Sequence, residues 1–289
     1  MEELVIAADS RISGGESWDS CPKIVPLPHP GTAMIMSGDA EEAYAFLIHA
    51  INTCHLLDGH IAGRTDIRYL ARELKRVYND NREHVTDLPI GDRKHTPQIK
   101  VALAGWSWRR SRFELYTFQY SPEGSLSMTE VKAISTESGF RCTFVGDAEK
   151  EAKAELRILL SRGQSAGLLP LPMRGHPFEE SMQRRMYFDW EPLEVLLKLI
   201  ASKTARTVGG APQVARIYQN IQVEQFIWRD DAGRLSFGGR PLLSDERSER
   251  RILSATKEAD GLRVSPEFTN LSIQATHAAA QNAKPQKSS

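Results

Sequence analysis

The chain has 289 residues, with 37 basic and 37 acidic side chains, so its formal net charge is zero. That length allows one large domain or two small ones and suffices to bury a core. The charge balance offers no basic excess for nucleic acid or an anionic membrane, and no run reaches the ~18 apolar residues of a membrane-spanning helix.

Three cysteines, Cys21, Cys54 and Cys142, lie far apart in the sequence. They form no CxxC pair and no even-numbered disulfide framework, which fits a reducing cytoplasm. The N-terminal residues lack the basic-then-apolar build of a signal peptide. Nothing in the composition calls for a cofactor.

The first apolar run, Leu4 to Ala8, is short and continuous, as in a strand covered on both faces. A proline-rich linker with Pro22, Pro26, Pro28 and Pro30 follows. Residues Thr32 to Gly38 read as a second strand ending at a glycine. Asp39 then stands at an N-cap, with Glu41 and Glu42 in the first turn of a helix running to about Leu57. Its apolar face is Ala43, Phe46, Leu47, Ala50 and Ile51. A second helix carries Ile67, Leu70, Leu74, Val77 and Tyr78, with Thr65 or Asp66 as its cap.

Three strands follow, "QIKVALAGWS", "RFELYTFQYS" and "LSMTEVKAIS", as an antiparallel meander with a turn at Ser121 to Gly124. "CTFVGD" (Cys142 to Asp147) is predicted as a short strand running into a helix, "AEKEAKAELRILLSR". Residues 163–177 are rich in Gly and Pro and read as a loop. "EPLEVLLKLIASKTAR" is the fourth helix, closed by "TVGG". "QVARIYQ" and "VEQFIWRD" are late strands, and "DDAGRLSF" turns the chain back for a last one. From about Leu243 the chain reads as a polar tail that ends in disorder. Strands and helices in separate blocks imply antiparallel sheets with helices packed outside.

Five joints in this order, "VIAADSRIS", "MIMSGDAEEA", the meander with its Pro-x-Gly turn, "CTFVGDAEKEA" and "TVGGAPQVARIYQ", resemble the proteasome-type N-terminal nucleophile (Ntn) hydrolases. That family includes proteasome β subunits and bacterial HslV-like peptidases. The resemblance covers about residues 4–240 and implies an α+β fold, a four-layer αββα sandwich with mostly antiparallel sheets. It makes 1–242 one domain, with an insertion at 163–189, and 243–289 a tail.

The resemblance also implies chemistry. In the family the first residue of the processed chain, usually threonine, is the nucleophile, and its α-amine is the general base. The orienting charge pair corresponds to Asp9 and Lys23, and the oxyanion N–H to Gly38. Without the resemblance, Asp9 would pair with Arg11 at a strand corner, Lys23 would be a surface lysine, and Gly38 would be a hinge. Two family features are replaced. A Gly-Ser-Gly joint reads Gly146, Asp147, Ala148, which makes Asp147 a candidate support for the amine. Ala205 and Val208 stand where the family carries an aspartate and a serine.

The family's nucleophile strand needs about a dozen residues before Asp9, and eight are present. The expectation is therefore a peptide or amide hydrolase whose nucleophile lies upstream of Met1. The alternative is a non-catalytic relative kept for assembly. Either would form a homo-oligomeric ring or assemble with related subunits, without nucleic acid or membrane partners.

Other clusters have plainer readings. His55, Asp58 and His60 could ligate a metal but sit at a helix end. Trp106 and Trp108 with Arg109, Arg110 and Arg112 could clasp single-stranded nucleic acid, or form the basic tip of a hairpin. Met182, Met186, Tyr187, Phe188 and Trp190 read as core or subunit contact.

Overall fold

In the computed structural model, which describes residues 3–14, 16–84, 98–122, 124–131, 134–135, 141–165, 190–202, 205–219, 222–258 and 261–267, the chain is mixed α+β with predominantly antiparallel sheets. The strands are β1 (Glu3–Ala8), β2 (Ile12–Gly14), β3 (Glu16–Trp18), β4 (Ile24–Pro26), β5 (Thr32–Ile35), β6 (Val101–Ser107), β7 (Arg112–Tyr120), β8 (Leu126–Glu130), β9 (Ile134–Ser135), β10 (Arg141–Cys142), β11 (Gln213–Tyr218), β12 (Val223–Gln225), β13 (Ile227–Arg229), β14 (Leu235–Phe237), β15 (Arg240–Pro241), β16 (Ile252–Glu258) and β17 (Gly261–Glu267). The helices are α1 (Ala40–Leu56), α2 (Asp58–Ile61), α3 (Ile67–Arg82), α4 (Glu149–Ser165) and α5 (Glu191–Ser202). Among the described residues no helix is long and apolar enough to cross a membrane.

Successive strand residues point to opposite faces, and this alternation sorts the core. In the sheet β4-β5-β6-β7-β8, Met34, Leu103, Tyr116 and Phe118 pack on Phe46 and Leu47 of α1 and on Leu70 and Leu74 of α3. Their neighbours Ala33, Ala104, Phe113 and Leu115 turn the other way. They meet Ile6, Ala8, Ala215 and Ile217 of the sheet β1-β11-β12. Val5, Ala7 and Val214 then face Leu193, Leu196 and Leu197 of α5. Finally, α5 lays Val195 against Ala152 and Leu156 of α4.

Several expectations need correction. The proline-rich linker contains β4, which pairs with β5 from Ile24 opposite Ile35 to Pro26 opposite Ala33. Proline is tolerated there because β4 is an edge strand. "CTFVGD" is extended in the sheet only at Cys142; residues 143–147 form no strand. "VEQFIWRD" is broken at Phe226. Val223–Gln225 pairs with β11, while Ile227–Arg229 joins another sheet. The fourth helix ends at Ser202, short of the Gly-Gly joint.

The tail boundary at residue 243 is also wrong. Residues 252–258 and 261–267 form the β16–β17 hairpin, and β16 pairs in parallel with β13. Leu253 and Val264 are buried against Phe226 and Trp228, so the segment completes a core rather than trailing from it. Residues 163–165 belong to α4, whereas the rest of the expected insertion, 166–189, and the last residues, 268–289, lie outside the described residues.

A polar knot ties α3 to the β6–β7 turn. Asp66 caps α3 by accepting from the Arg68 N–H at 3.1 Å, and it also accepts from the Ser107 hydroxyl at 2.9 Å. Beside it His29 and His60 are fully buried, with ring centres 5.8 Å apart. His29 Nε2 lies 2.8 Å from the Thr65 carbonyl, and His60 Nδ1 lies 2.6 Å from the Thr65 hydroxyl.

Burial lowers the pKa of both imidazoles; at His29 the Thr65 and Pro30 carbonyls and then Asp66 oppose it only in part, and at His60 the neighbouring His29 adds to it while Glu73 opposes it. The unfolded chain therefore takes up protons first as pH falls. This stability is present above about pH 6.5 and declines below it as pH moves toward the folded values. Calorimetry should show the melting temperature falling between about pH 6.5 and 5. Replacing His60 by Gln should flatten that slope, and an unchanged slope would refute the assignment.

Candidate functional site

The end of β1 enters a corner built by three distant segments. Asp9 is 8% exposed, and each of its carboxylate oxygens is engaged. Oδ1 accepts from Lys23 Nζ at 2.7 Å. Oδ2 accepts from the N–H of Arg11 at 3.1 Å and from the N–H of Gly209 at 3.0 Å. The side chains of Asp9 and Lys23 are each 12% exposed, so the pair is largely withdrawn from solvent. A carboxylate with three such donors is held in one orientation.

The alternative side-chain pairing of Asp9 with Arg11 is not formed. The Arg11 guanidinium grips Asp19 instead, at 2.6 and 2.9 Å, and holds the Asp19 carboxyl below its usual range. Its Nη1 also donates to the carbonyls of Arg206 and Val208. The Gly-Gly joint thus lies directly on the corner. A Cβ on Gly209 would push the Arg11 guanidinium aside from its present place.

The Met36 N–H donates to the Lys23 carbonyl at 2.9 Å, which places Lys23 beside Met36, two residues before Gly38 in the chain. Gly38 has φ +87° and bridges Ile99. The flanking bonds run from Lys100 N–H to Ser37 O and from Asp39 N–H to Gln98 O. Gly38 and Ile99 are therefore the non-hydrogen-bonded pair of this ladder, and the Gly38 N–H is directed away from it. An amide held so can donate to a developing oxyanion.

Asp9, Lys23, Gly38 and Asp147 all line one cavity of about 1440 Å³. Asp147 is exposed at its rim and joins neither Asp9 nor Lys23. The cavity runs along β1 from Glu3 to Ala8, with Phe113 and Leu115 on one wall and Trp190, Leu193 and Leu196 on another. Among the described residues β1 pairs only with β11, so its other edge borders this space. Cys142 also lines it, but burial pushes that thiol up to about 11, which keeps it protonated and poorly nucleophilic near neutral pH.

One residue at the corner has no counterpart among the sequence-derived candidates. Gln213, 5% exposed at the start of β11, reaches both Asp9 and the backbone around Lys23. A buried amide at the head of an apolar strand is its only sequence signal.

The other clusters do not converge. His55 and Asp58 are exposed while His60 is buried. Among the described residues no three His, Cys, Asp or Glu side chains gather to hold a metal ion. The basic hairpin tip is neutralised from within. Arg110 and Arg112 bind Glu114 at 3.0 and 3.2 Å, and Glu130 joins them. Arg109 stacks over Trp108 at 5.2 Å. Of the aromatic group near 182–190, Trp190 lines the cavity, and the others lie outside the described residues.

Neither a protein-family profile nor a curated protein sequence matches this chain.

Proposed function

We propose that this chain carries the body of a proteasome-like Ntn hydrolase that cleaves a peptide or amide bond. The observation that carries the reading is the buried Asp9–Lys23 pair, 2.7 Å apart, lining a cavity that Gly38 also lines. In the proposed arrangement helices α1 and α3, the two facing sheets, and α5 with α4 are the four layers of an αββα sandwich.

The nucleophile is a Thr, Ser or Cys at the start of a strand lying along the open edge of β1. At about 1440 Å³ the cavity exceeds the roughly 300–1,000 Å³ of a small-molecule pocket, as a polypeptide strand with a substrate requires. Lys23 and Asp9 orient the nucleophile's α-amine, which takes the proton from its own side chain and returns it to the leaving amine. The Gly38 N–H receives the carbonyl oxygen as it gains charge. Copies of the chain assemble into a ring.

Intact mass and N-terminal sequencing of the natively expressed protein test this reading. The expected N-terminus is Thr, Ser or Cys, a strand's length before Leu4. That form should hydrolyse fluorogenic peptide amides, and Asp9→Asn should reduce kcat/KM by about 100-fold or more. Ala205 and Val208 favour a second reading, because neither side chain can hydrogen-bond an amine. An assembled ring without hydrolysis in any form would establish that non-catalytic, structural role.

A further inference from the structure

Gln213 is among the polar side chains buried within the described residues, and its amide is fully used. Oε1 accepts from the N–H groups of Lys23 at 3.0 Å and Ile24 at 3.4 Å. Nε2 donates to the carbonyls of Asp9 at 3.0 Å and Cys21 at 2.9 Å. Two acceptor and two donor sites exhaust what a primary amide offers. All four partners are backbone groups, and they belong to the two segments that supply the ion pair. Asp9 closes β1, while Lys23 precedes β4.

We infer that Gln213 is the positioning residue that sets the separation and direction of the Asp9–Lys23 pair. The consequence for catalysis rests on the function proposed above; the positioning itself does not. The chemistry admits few substitutes. A carboxylate at this place has no donor, so the oxygen that replaces Nε2 would confront the Asp9 and Cys21 carbonyls. An aliphatic side chain would leave two N–H and two C=O groups buried without it. Asparagine is one methylene too short to reach both segments. The contact between Lys23 Nζ and Asp9 Oδ1 is short and charge-assisted, so a displacement of about 1 Å in either backbone would misalign it.

The test reads the amine itself. Each lysine of the full chain is labelled with a limiting amount of an amine-reactive ester over a range of pH, and rates are obtained by peptide mass spectrometry. In the unsubstituted protein Lys23, paired with Asp9, should react more slowly than the exposed Lys150. Gln213→Met should speed labelling of Lys23 by at least roughly tenfold, the factor that losing a charge-assisted hydrogen bond implies. It should change the shape of the Lys23 pH profile while Lys150 and the circular dichroism stay as they were.

Should Gln213→Met not fold, Gln213→Asn keeps the amide and carries the same comparison with a smaller effect. A Lys23 rate and pH profile unchanged in a folded variant would overturn the inference, as would equal acceleration at every lysine. In a hydrolytically active form, the same variants should lower kcat with little change in KM. Lys23 responding in a protein with no hydrolysis in any form would uphold the positioning role and refute the hydrolase reading.

Discussion

Replacing Lys23 by Met is expected to lower the stability of the protein by about 3 kcal/mol, because it strands a buried carboxylate without its counter-charge. Asp9 is 8% exposed and would keep only the N–H donors of Arg11 and Gly209. Those two bonds restrain the carboxylate but do not neutralise it. Adding Asp9→Asn should restore part of the loss. The amide removes the charge, and its oxygen can still accept from Arg11 and Gly209. Urea denaturation at fixed pH measures both steps. If the double substitution is no better than Lys23→Met alone, the cost is one of packing and the buried-charge account fails. Hydrolysis should vanish in both proteins, so stability and activity are expected to separate in the double substitution.

Gly38→Ala should cost about 2–4 kcal/mol, for two reasons that add. The residue sits at φ +87°, which side chains other than glycine rarely adopt. Its Cβ would also overlap the carbonyl oxygen of Gln98, a backbone atom fixed in the Asp39 N–H bond. Gly124 supplies the control. It has φ +81°, but nothing lies within 4 Å of a Cβ there. Gly124→Ala should therefore show the dihedral cost alone, about 1 kcal/mol. A Gly38→Ala protein as stable as Gly124→Ala would mean that the Gln98 carbonyl moves aside freely. The Gly38 N–H would then lack the fixed direction that oxyanion binding requires.

What could be read from sequence followed from local periodicity. β1, the β6–β7–β8 meander and helices α1, α3, α4 and α5 each announce themselves by spacing of apolar residues. Features set by distant partners did not show. β4 hides among prolines, because an edge strand can hold Pro26 without losing a ladder bond. The break at Phe226 is invisible to alternation, which cannot say that one apolar run serves two sheets. β16 carries only a few apolar residues, and its parallel partner β13 lies 25 residues upstream, outside the reach of local alternation. At the site, Asp9, Lys23 and Gly38 were found through family resemblance rather than through spacing. The acid that Arg11 binds, Asp19, is not legible in the sequence because nothing there says that the chain folds back to bring it beside Arg11. Gln213 was missed because a lone polar residue beside an apolar run carries no pattern.

The corner around Asp9 also fixes an order of events during synthesis. Its carboxylate waits for Gly209, 200 residues further on, and its carbonyl waits for Gln213, 204 residues further on. The meander with α1 and α3 draws on a much shorter stretch of chain and can form while translation continues. β1, although made before the other described elements, has no sheet partner among the described residues until β11 has left the ribosome. Contacts so distant in sequence form late and slowly. The groups that hold the charge pair are therefore among the last parts of the molecule to be put in place, and a chain halted before residue 209 would carry Asp9 and Lys23 without Gly209 or Gln213.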